Sequence, residues 1–417
     1  MELSAVLLPK LYNKNVADAA VPVESPEVMP GSISRLPLHI ISVLKPEPSF
    51  LIKMKTSFLR HLSLTTALVL AAASQSSFAQ TTATTDPVGF ITLPIAGGGT
   101  IASPKLSLIS PTVTQPMSWQ GAITSVTTAS GNTTIAVANT PFTAGQFNGA
   151  NGSFYAEIVT VTPNTHVTGA LAVITSTTTG SIIVTGNLVS PTVFAQAGDT
   201  LRIRKETTIA DIFGVANTAG LLASDEGASA DEVLIYDGAS SNSYFYYTGS
   251  PGYPAGWYDT GFLLAPGVAQ NVVIGLHQGL VVKRKTTGAL SVTANGAVKT
   301  GNTLFPVVNG LNVLGTVSAK GLTLGTSGLF TGSATTGMKP SDEAATADEI
   351  TIYSGANPTS YFYYTGSPGF PAGWYDSAFL LAPGAADNVV IAPGTSFVVN
   401  RKGGSSYNWS LPSPTSF

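Results

Sequence analysis

Cysteine is absent from the chain, which removes disulfides, thiolate nucleophiles and Cys-ligated metals together. Charge is scarce as well. Charged residues make up 10% of the sequence, against about 25% in ordinary soluble domains. Small neutral Thr, Ser, Gly, Ala and Asn must then supply the polar surface, a composition suited to strands and tight turns. Histidine is sparse: beyond residue 79 only His166 and His277 occur, with no Gly-x-Ser-x-Gly, His-x-His or His-Glu-x-x-His pattern. A Ser-His-Asp triad or a zinc centre has little to be built from. Both histidines are expected in loops or at strand edges. Helical periodicity of useful length is also missing, and a turn or two near residues 208–213 is the best candidate. From Gln80 onward, 12 Lys and Arg face 17 Asp and Glu, so no basic stripe is available for nucleic acid or anionic lipid.

What remains is apolar, β-prone and long. At 417 residues, 44% of them hydrophobic, two or three domains are expected. Residues 1–53 carry scattered Pro without periodicity and read as a misassigned upstream extension. Met54 opens a short cationic segment with Lys55 and Arg60. An apolar run over 62–73 follows, and Ser77-Phe78-Ala79 ends with small residues at the −3 and −1 positions. Residues 54–79 therefore read as a secretory signal peptide cleaved after Ala79, unless the whole of 1–79 is one long unconventional signal region. Its apolar run falls short of the roughly 20 residues that span a bilayer, so the mature chain is expected to be exported with no transmembrane segment. An outer-membrane barrel is disfavoured, because Pro412 and Pro414 sit where the last membrane strand would lie.

Residues 80–205 alternate short Val/Ile/Thr runs with Gly, Asn and Pro, the pattern of a β sandwich or barrel-like unit. Two homologous β modules follow in tandem, 206–285 and 286–405, with 406–417 as a C-terminal tail. The repeat is explicit: Tyr244-Phe245-Tyr246-Tyr247 returns as Tyr361-Phe362-Tyr363-Tyr364, and Trp257-Tyr258 as Trp374-Tyr375, all 117 residues on. Aromatic runs favour strands, the intervening Thr-Gly-Ser-Pro-Gly is turn chemistry, and each copy is predicted to be an aromatic hairpin. The Gly/Thr/Val-rich stretch 286–321 is expected to supply strands to the second copy. The fold class is all-β.

Two residue sets could carry function. Alternation sends Tyr244 and Tyr246 to one face of a strand and Phe245 and Tyr247 to the other. One face can then be core while Tyr244, Tyr246, Tyr253, Trp257 and Tyr258 form a ligand or partner surface, repeated by Tyr361, Tyr363, Phe370, Trp374 and Tyr375. Flat rings suit sugar faces, although large amphipathic aromatics also pack cores. Within that choice, both Trp are expected to be mainly structural, with Tyr246, Tyr253, Tyr363 and Phe370 more exposed. The acidic pairs also repeat: Asp225-Glu226 and Asp231-Glu232, then Asp342-Glu343 and Asp348-Glu349. Clustered hard oxygens can hold Ca²⁺, but the spacing fits no calcium loop. Solvated turn carboxylates, or partners for the Arg-Lys strand ends, are the expected reading. Otherwise no cofactor is expected.

With the signal peptide, Asp86-Pro87-Val88-Gly89, the Tyr-rich hairpins and the endings Val282-Lys283-Arg284-Lys285 and Val399-Asn400-Arg401-Lys402, the chain resembles a family of secreted, β-rich bacterial proteins that occur as sets of paralogues. That family has no established catalytic residues, so the resemblance implies export and an envelope or extracellular residence, and no site. The expectation is a non-enzymatic surface, matrix or adhesive protein. Its partners would be envelope proteins, polysaccharide or further copies of itself. Tandem carbohydrate-binding modules are the alternative, and a glycoside-active enzyme with paired carboxylates is the third reading.

Overall fold

The computed structural model describes residues 86–159, 167, 169–189, 192–354 and 357–412. The upstream extension, the signal peptide, His166 and residues 413–417 lie outside the described residues. Those described are nearly all β, with antiparallel pairing throughout the sheets, a few single turns of 3-10 helix and one short α-helix, Ile209–Phe213. That helix falls where sequence placed it. Thr208 and Asp211 close a capping box at its start, which satisfies two N–H groups that would otherwise be orphaned.

The barrel-like unit is a closed barrel of six strands: Met117–Ala129, Asn132–Val137, Ser181–Thr185, Leu171–Thr177, Phe154–Val159 and Thr200–Lys205. Closure leaves no free edge, an effective answer to the pairing hazard of a Thr/Val-rich sequence. Its interior is filled by Ile123, Ile135, Ile158, Ile182, Val184 and Ile203.

Each aromatic copy is a five-stranded sheet, and the two sheets share one strand order. In the first, Gly256–Asp259, Ser240–Tyr247, Glu232–Asp237, Leu280–Arg284 and Lys105–Ile109 are neighbours in that sequence; in the second, Gly373–Asp376, Asn357–Tyr364, Glu349–Ser354, Phe397–Arg401 and Gly310–Leu314. The hairpin register repeats as well, with Tyr246 opposite Trp257 and Tyr363 opposite Trp374.

The fifth strands redraw the boundaries. Lys105–Ile109 precedes the barrel in sequence, yet it pairs with Leu280–Arg284 of the first module. Val88–Ile95 likewise pairs with Leu290–Val298. Residues 80–205 are therefore not one unit, because the barrel is inserted into the first module. Between the fifth strand and Leu322–Thr323 the second copy has only 315–321, whereas the first has 110–206 between its fifth strand and the matching Thr207–Thr208 and carries the whole barrel there. The stretch 286–321 is divided too: Leu290–Val298 completes the first module, while Thr303–Val307 and Gly310–Leu314 serve the second. Nor is 406–412 a tail. Tyr407–Leu411 pairs with Thr303–Val307 and buries Trp409 completely. Its Tyr-x-Trp-x-Leu alternation was a period-two strand signal in plain view.

The modules meet about a pseudo-twofold axis. Gly279 N donates to Val313 O and Gly315 N to His277 O, each at 3.0 Å, while Ser110 N donates to Gly394 O, also at 3.0 Å. Gly279 faces Ser396, its own counterpart 117 residues later, and a Cβ on Gly279 would fall 2.3 Å from that of Ser396. Glycine is what permits this approach. A buried ionic cluster fixes the barrel in place. Arg204 bonds Asp86 at 2.6 Å and Glu157 at 3.2 Å, and Lys299 bonds Glu157 at 2.6 Å. Burial opposes charge on Glu157, but Lys299 first and then Arg204 and Arg202 outweigh it and hold the carboxyl below its ordinary value. Such clusters specify geometry more than they add stability.

Candidate functional site

The predicted Tyr-rich surface is largely core. Tyr244, Trp257, Tyr258, Tyr361, Trp374 and Tyr375 are buried, while Tyr246 and Tyr363 are half-buried and Tyr253 and Phe370 exposed. Both faces of the hairpin are covered, which is why the expected wet face is missing. Tyr244 and Trp257 join the main core. Phe245, Tyr247 and Tyr258 form a second small core with Ala230, and Phe362, Tyr364 and Tyr375 repeat it with Ala347. The Tyr hydroxyls are used internally: Tyr247 donates to Ser250 Oγ at 2.7 Å and Tyr258 to Pro254 O at 3.0 Å. Tyr364 and Tyr375 make the same two bonds to Ser367 and Pro371.

What each module exposes is a tip of its own, the turn that follows the second strand of its hairpin, built twice in the same way. Asp259 accepts hydrogen bonds from Leu263 N at 2.9 Å and Leu264 N at 2.8 Å, and Asp376 does so from Leu380 N and Leu381 N at the same distances. These bonds force Phe262 and Phe379 into the left-handed region, with φ of 52° and 53°. For a bulky residue this costs on the order of 1–3 kcal/mol, and such strain gathers at functional positions. Phe262 packs edge-on to Phe245 and Tyr247, at 5.6 and 5.4 Å between ring centres. Phe379 repeats that packing on Phe362 and Tyr364, both at 5.5 Å. The result is an apolar knob: Leu263 is 89% exposed and Leu380 84%, and Tyr253 and Phe370 are exposed as well. Sequence reasoning missed the leucines. The signal was an Asp followed, 117 residues apart, by the same Phe-Leu-Leu that no core position required.

The acidic pairs divide. Asp231 and Asp348 are fully buried against Arg284 and Arg401. Glu232 bonds Lys285 at 2.6 Å, and Glu349 bonds Lys402 at 2.7 Å. These four are thus the partners of the Arg-Lys strand ends. Asp225, Glu226, Asp342 and Glu343 stay exposed in turns, apart from the carboxylates that are engaged. Among the described residues no group of three or more acidic or histidine side chains is arranged to hold a metal ion.

A second feature lies where barrel and modules meet, a partly open cleft of about 370 Å³. Leu171 and Val173 of the barrel, Val273 and Leu276 of the first module, and Leu304 and Pro306 of the second form its apolar walls. Tyr155, Glu206, His277 and Gln278 bring polar groups to it. Gln278 is committed, accepting from Gly275 N and donating to Tyr236 O. Glu206 is 7% exposed, and burial alone lifts its carboxyl to about 7 from 4.5. Burial likewise pushes the Tyr155 phenol well up and holds His277 below its usual range, against the opposing field of Asp237. A carboxyl raised in the folded state contributes stability that is complete below about 4.5 and lost as pH rises through about 7. Glu206→Gln should therefore stabilise the protein by about 3 kcal/mol at pH 8 and by almost nothing at pH 4. Denaturant midpoints at the two pH values check this, and equal shifts would contradict it.

No protein-family model matches the sequence, and comparison with curated proteins and with solved structures returned no match. Among the described residues no helix is long and apolar enough to cross a membrane, which says nothing of strands.

Proposed function

We propose that this is an exported, non-enzymatic surface or matrix protein that adheres through the paired tips of its two modules. The observation carrying this reading is the duplicated knob: the same apolar group, held by the same Asp in the same strained turn, is presented twice. Phe262 and Phe379 pack beneath, whereas Leu263 and Leu380 next to them are left almost fully exposed, and a fixed apolar anchor is what a partner surface requires. Two such anchors in one chain gain avidity from each other. The resemblance to secreted paralogous proteins and the expected signal peptide agree with an envelope or extracellular setting. Tandem carbohydrate binding fits less well, because the hairpin Tyr hydroxyls are already bonded inside and Leu263 and Leu380 dominate the tips.

Leu263→Asp and Leu380→Asp test the proposal. Each should change stability by less than about 0.5 kcal/mol, as for exposed positions generally. Sedimentation with isolated cell envelopes, and self-association by light scattering, should weaken in either single variant and vanish in the double. Undiminished association of the double variant would overturn the reading. Retention on an insoluble polysaccharide that is lost in Tyr253→Ala with Phe370→Ala, but not in the Leu variants, would put carbohydrate binding in its place.

A further inference from the structure

The junction cleft stands apart from the tips and raises a different question. Three groups in it are unspent. Glu206 is more than nine-tenths buried, has no cation bonded to it among the described residues, and owes its raised pKa to burial alone. Tyr155 is 3% exposed, and its hydroxyl has no hydrogen-bond partner among the described residues. The His277 ring is held neutral by burial. An orphaned buried hydroxyl and an uncompensated buried carboxyl both cost stability, so their convergence on one cleft calls for a ligand that completes them.

The chemistry of the three selects its class. A carboxylate, a phenol oxygen and a neutral imidazole are all acceptors, the array that suits the several N–H donors of an ammonium group. An anion would meet Glu206 as a like charge. A sugar would find too few donors and too much hydrocarbon. The volume sits near the lower end of the roughly 300–1,000 Å³ typical of ligand sites, and the walls are aliphatic. We propose that the cleft binds a small organic amine, its apolar body against Leu171, Leu276, Leu304 and Pro306 and its ammonium on Glu206, with Tyr155 as second acceptor. This binding is separate from adhesion at the tips.

Pseudo-symmetry accounts for one site and not two. The position matching His277 is Gly394, and there Ile91 and Leu93 close in, each with an atom within 3.3 Å of where a Cβ would stand. The barrel residues Tyr155, Leu171 and Val173 have no counterpart in the second module, because the barrel interrupts only the first. Insertion of the barrel has thus created the cleft and brought Tyr155 and Glu206 to it.

When the amine enters, Glu206 must be ionised. The proton it carries leaves to solvent, the ligand keeps its own, and the carboxylate and ammonium pair. Around Glu206 the other titratable groups are Tyr155 and His277 in the cleft, Lys205 beside it in sequence, Asp237 near His277, and the Glu157, Arg204 and Asp86 cluster behind Tyr155.

Titration calorimetry of the full chain with benzylamine and with neutral benzyl alcohol tests this. Benzylamine should bind about tenfold or more tightly than the alcohol at pH 7. Buffers of different ionisation enthalpy should reveal release of about half a proton per ligand at that pH, and affinity should fall about tenfold from pH 8 to pH 6. Glu206→Gln should erase the preference and the proton release, and Tyr155→Phe should weaken the amine several-fold. Leu263→Asp with Leu380→Asp should leave binding unchanged, which separates failure here from failure of the tip reading. Equal affinity for the two probes, no binding of either at millimolar concentration, or an amine preference that survives in Glu206→Gln would each overturn the proposal. The proton count and pH dependence need only the unaltered protein, so they stand even where a variant does not fold.

Discussion

Replacing Asp231 by Ala should remove about 3–5 kcal/mol of stability, because it leaves a buried guanidinium without its counter-charge. Asp231 is fully buried and engages both of its oxygens. One accepts from the Arg284 guanidinium and from Leu222 N at 2.7 Å, and the other accepts from Lys285 N at 2.7 Å. It therefore ties the loop before its own strand to the end of the neighbouring strand. After its loss, Arg284 keeps, among the described residues, only backbone acceptors, Gly288 O at 3.0 Å and the more distant Gly220 O. Asp231→Asn should cost less, since a side-chain oxygen remains for the N–H groups.

The repeat supplies the control. Asp348 accepts from Arg401, from Lys339 N at 2.7 Å and from Lys402 N at 2.8 Å, so Asp348→Ala should cost a similar amount. Arg401 has more to fall back on: it donates to Ala334 O at 2.6 Å and Ser405 O at 3.0 Å and lies 4.9 Å from the centre of the Tyr407 ring. The second module should accordingly sit at the lower end of the range. Replacing both partners at once, as in Asp231→Leu with Arg284→Met, should cost less than Asp231→Ala alone, because no charge is stranded. Urea unfolding followed by fluorescence decides the matter. A loss below about 1 kcal/mol for Asp231→Ala would show that the pair holds nothing in place.

Much of this was readable from residue identities, and the reasons for the rest are physical. The hairpins were legible because four adjacent aromatics followed by Gly-Ser-Pro-Gly admit few alternatives, and the 117-residue offset made each copy a check on the other. Pairing of Asp231 and Asp348 with the Arg-Lys ends was legible because charges were so few. The fifth strands were not. Lys-Leu-Ser-Leu-Ile and Gly-Leu-Asn-Val-Leu, at 105–109 and 310–314, share only an apolar, strand-like character, and nothing local tells such a segment which sheet it will join. The covered second face of the hairpins was hidden for a related reason. Its lid is Phe262 and the turn ending at Ala230, and Phe262 is set in place by the backbone N–H groups of Leu263 and Leu264 donating to Asp259 and not by any pattern. Glu206 was invisible altogether. In sequence it follows Arg204-Lys205 as an ordinary polar strand end, and only the meeting of barrel, first module and second module buries it.

Trp257→Ala and Trp374→Ala separate core from binding surface at the hairpins themselves, and each should cost about 3–5 kcal/mol. Trp257 is 0% and Trp374 3% exposed. Trp257 sits edge-on to Tyr246 at 5.6 Å and near Phe213 at 5.9 Å, while Trp374 sits edge-on to Tyr363 at 5.7 Å. Tyr363 is in turn stacked on Phe330. Truncation leaves a cavity in either core. The first should suffer more. The Trp257 indole N–H donates to Gly214 O at 2.8 Å, at the C-terminal end of the helix Ile209–Phe213. Losing that donor strands a carbonyl, worth about another 1 kcal/mol. Trp257→Phe keeps most of the volume and removes the N–H, so it should retain most of the stability and isolate the hydrogen-bond contribution. Were the indoles a sugar platform, melting temperature would hardly move while glycan retention disappeared. Melting curves of the two Ala variants, run beside Leu263→Asp and Leu380→Asp, should instead show large losses for the tryptophans and almost none for the leucines. That contrast would set the tryptophan core of each hairpin apart from the exposed turn that follows it.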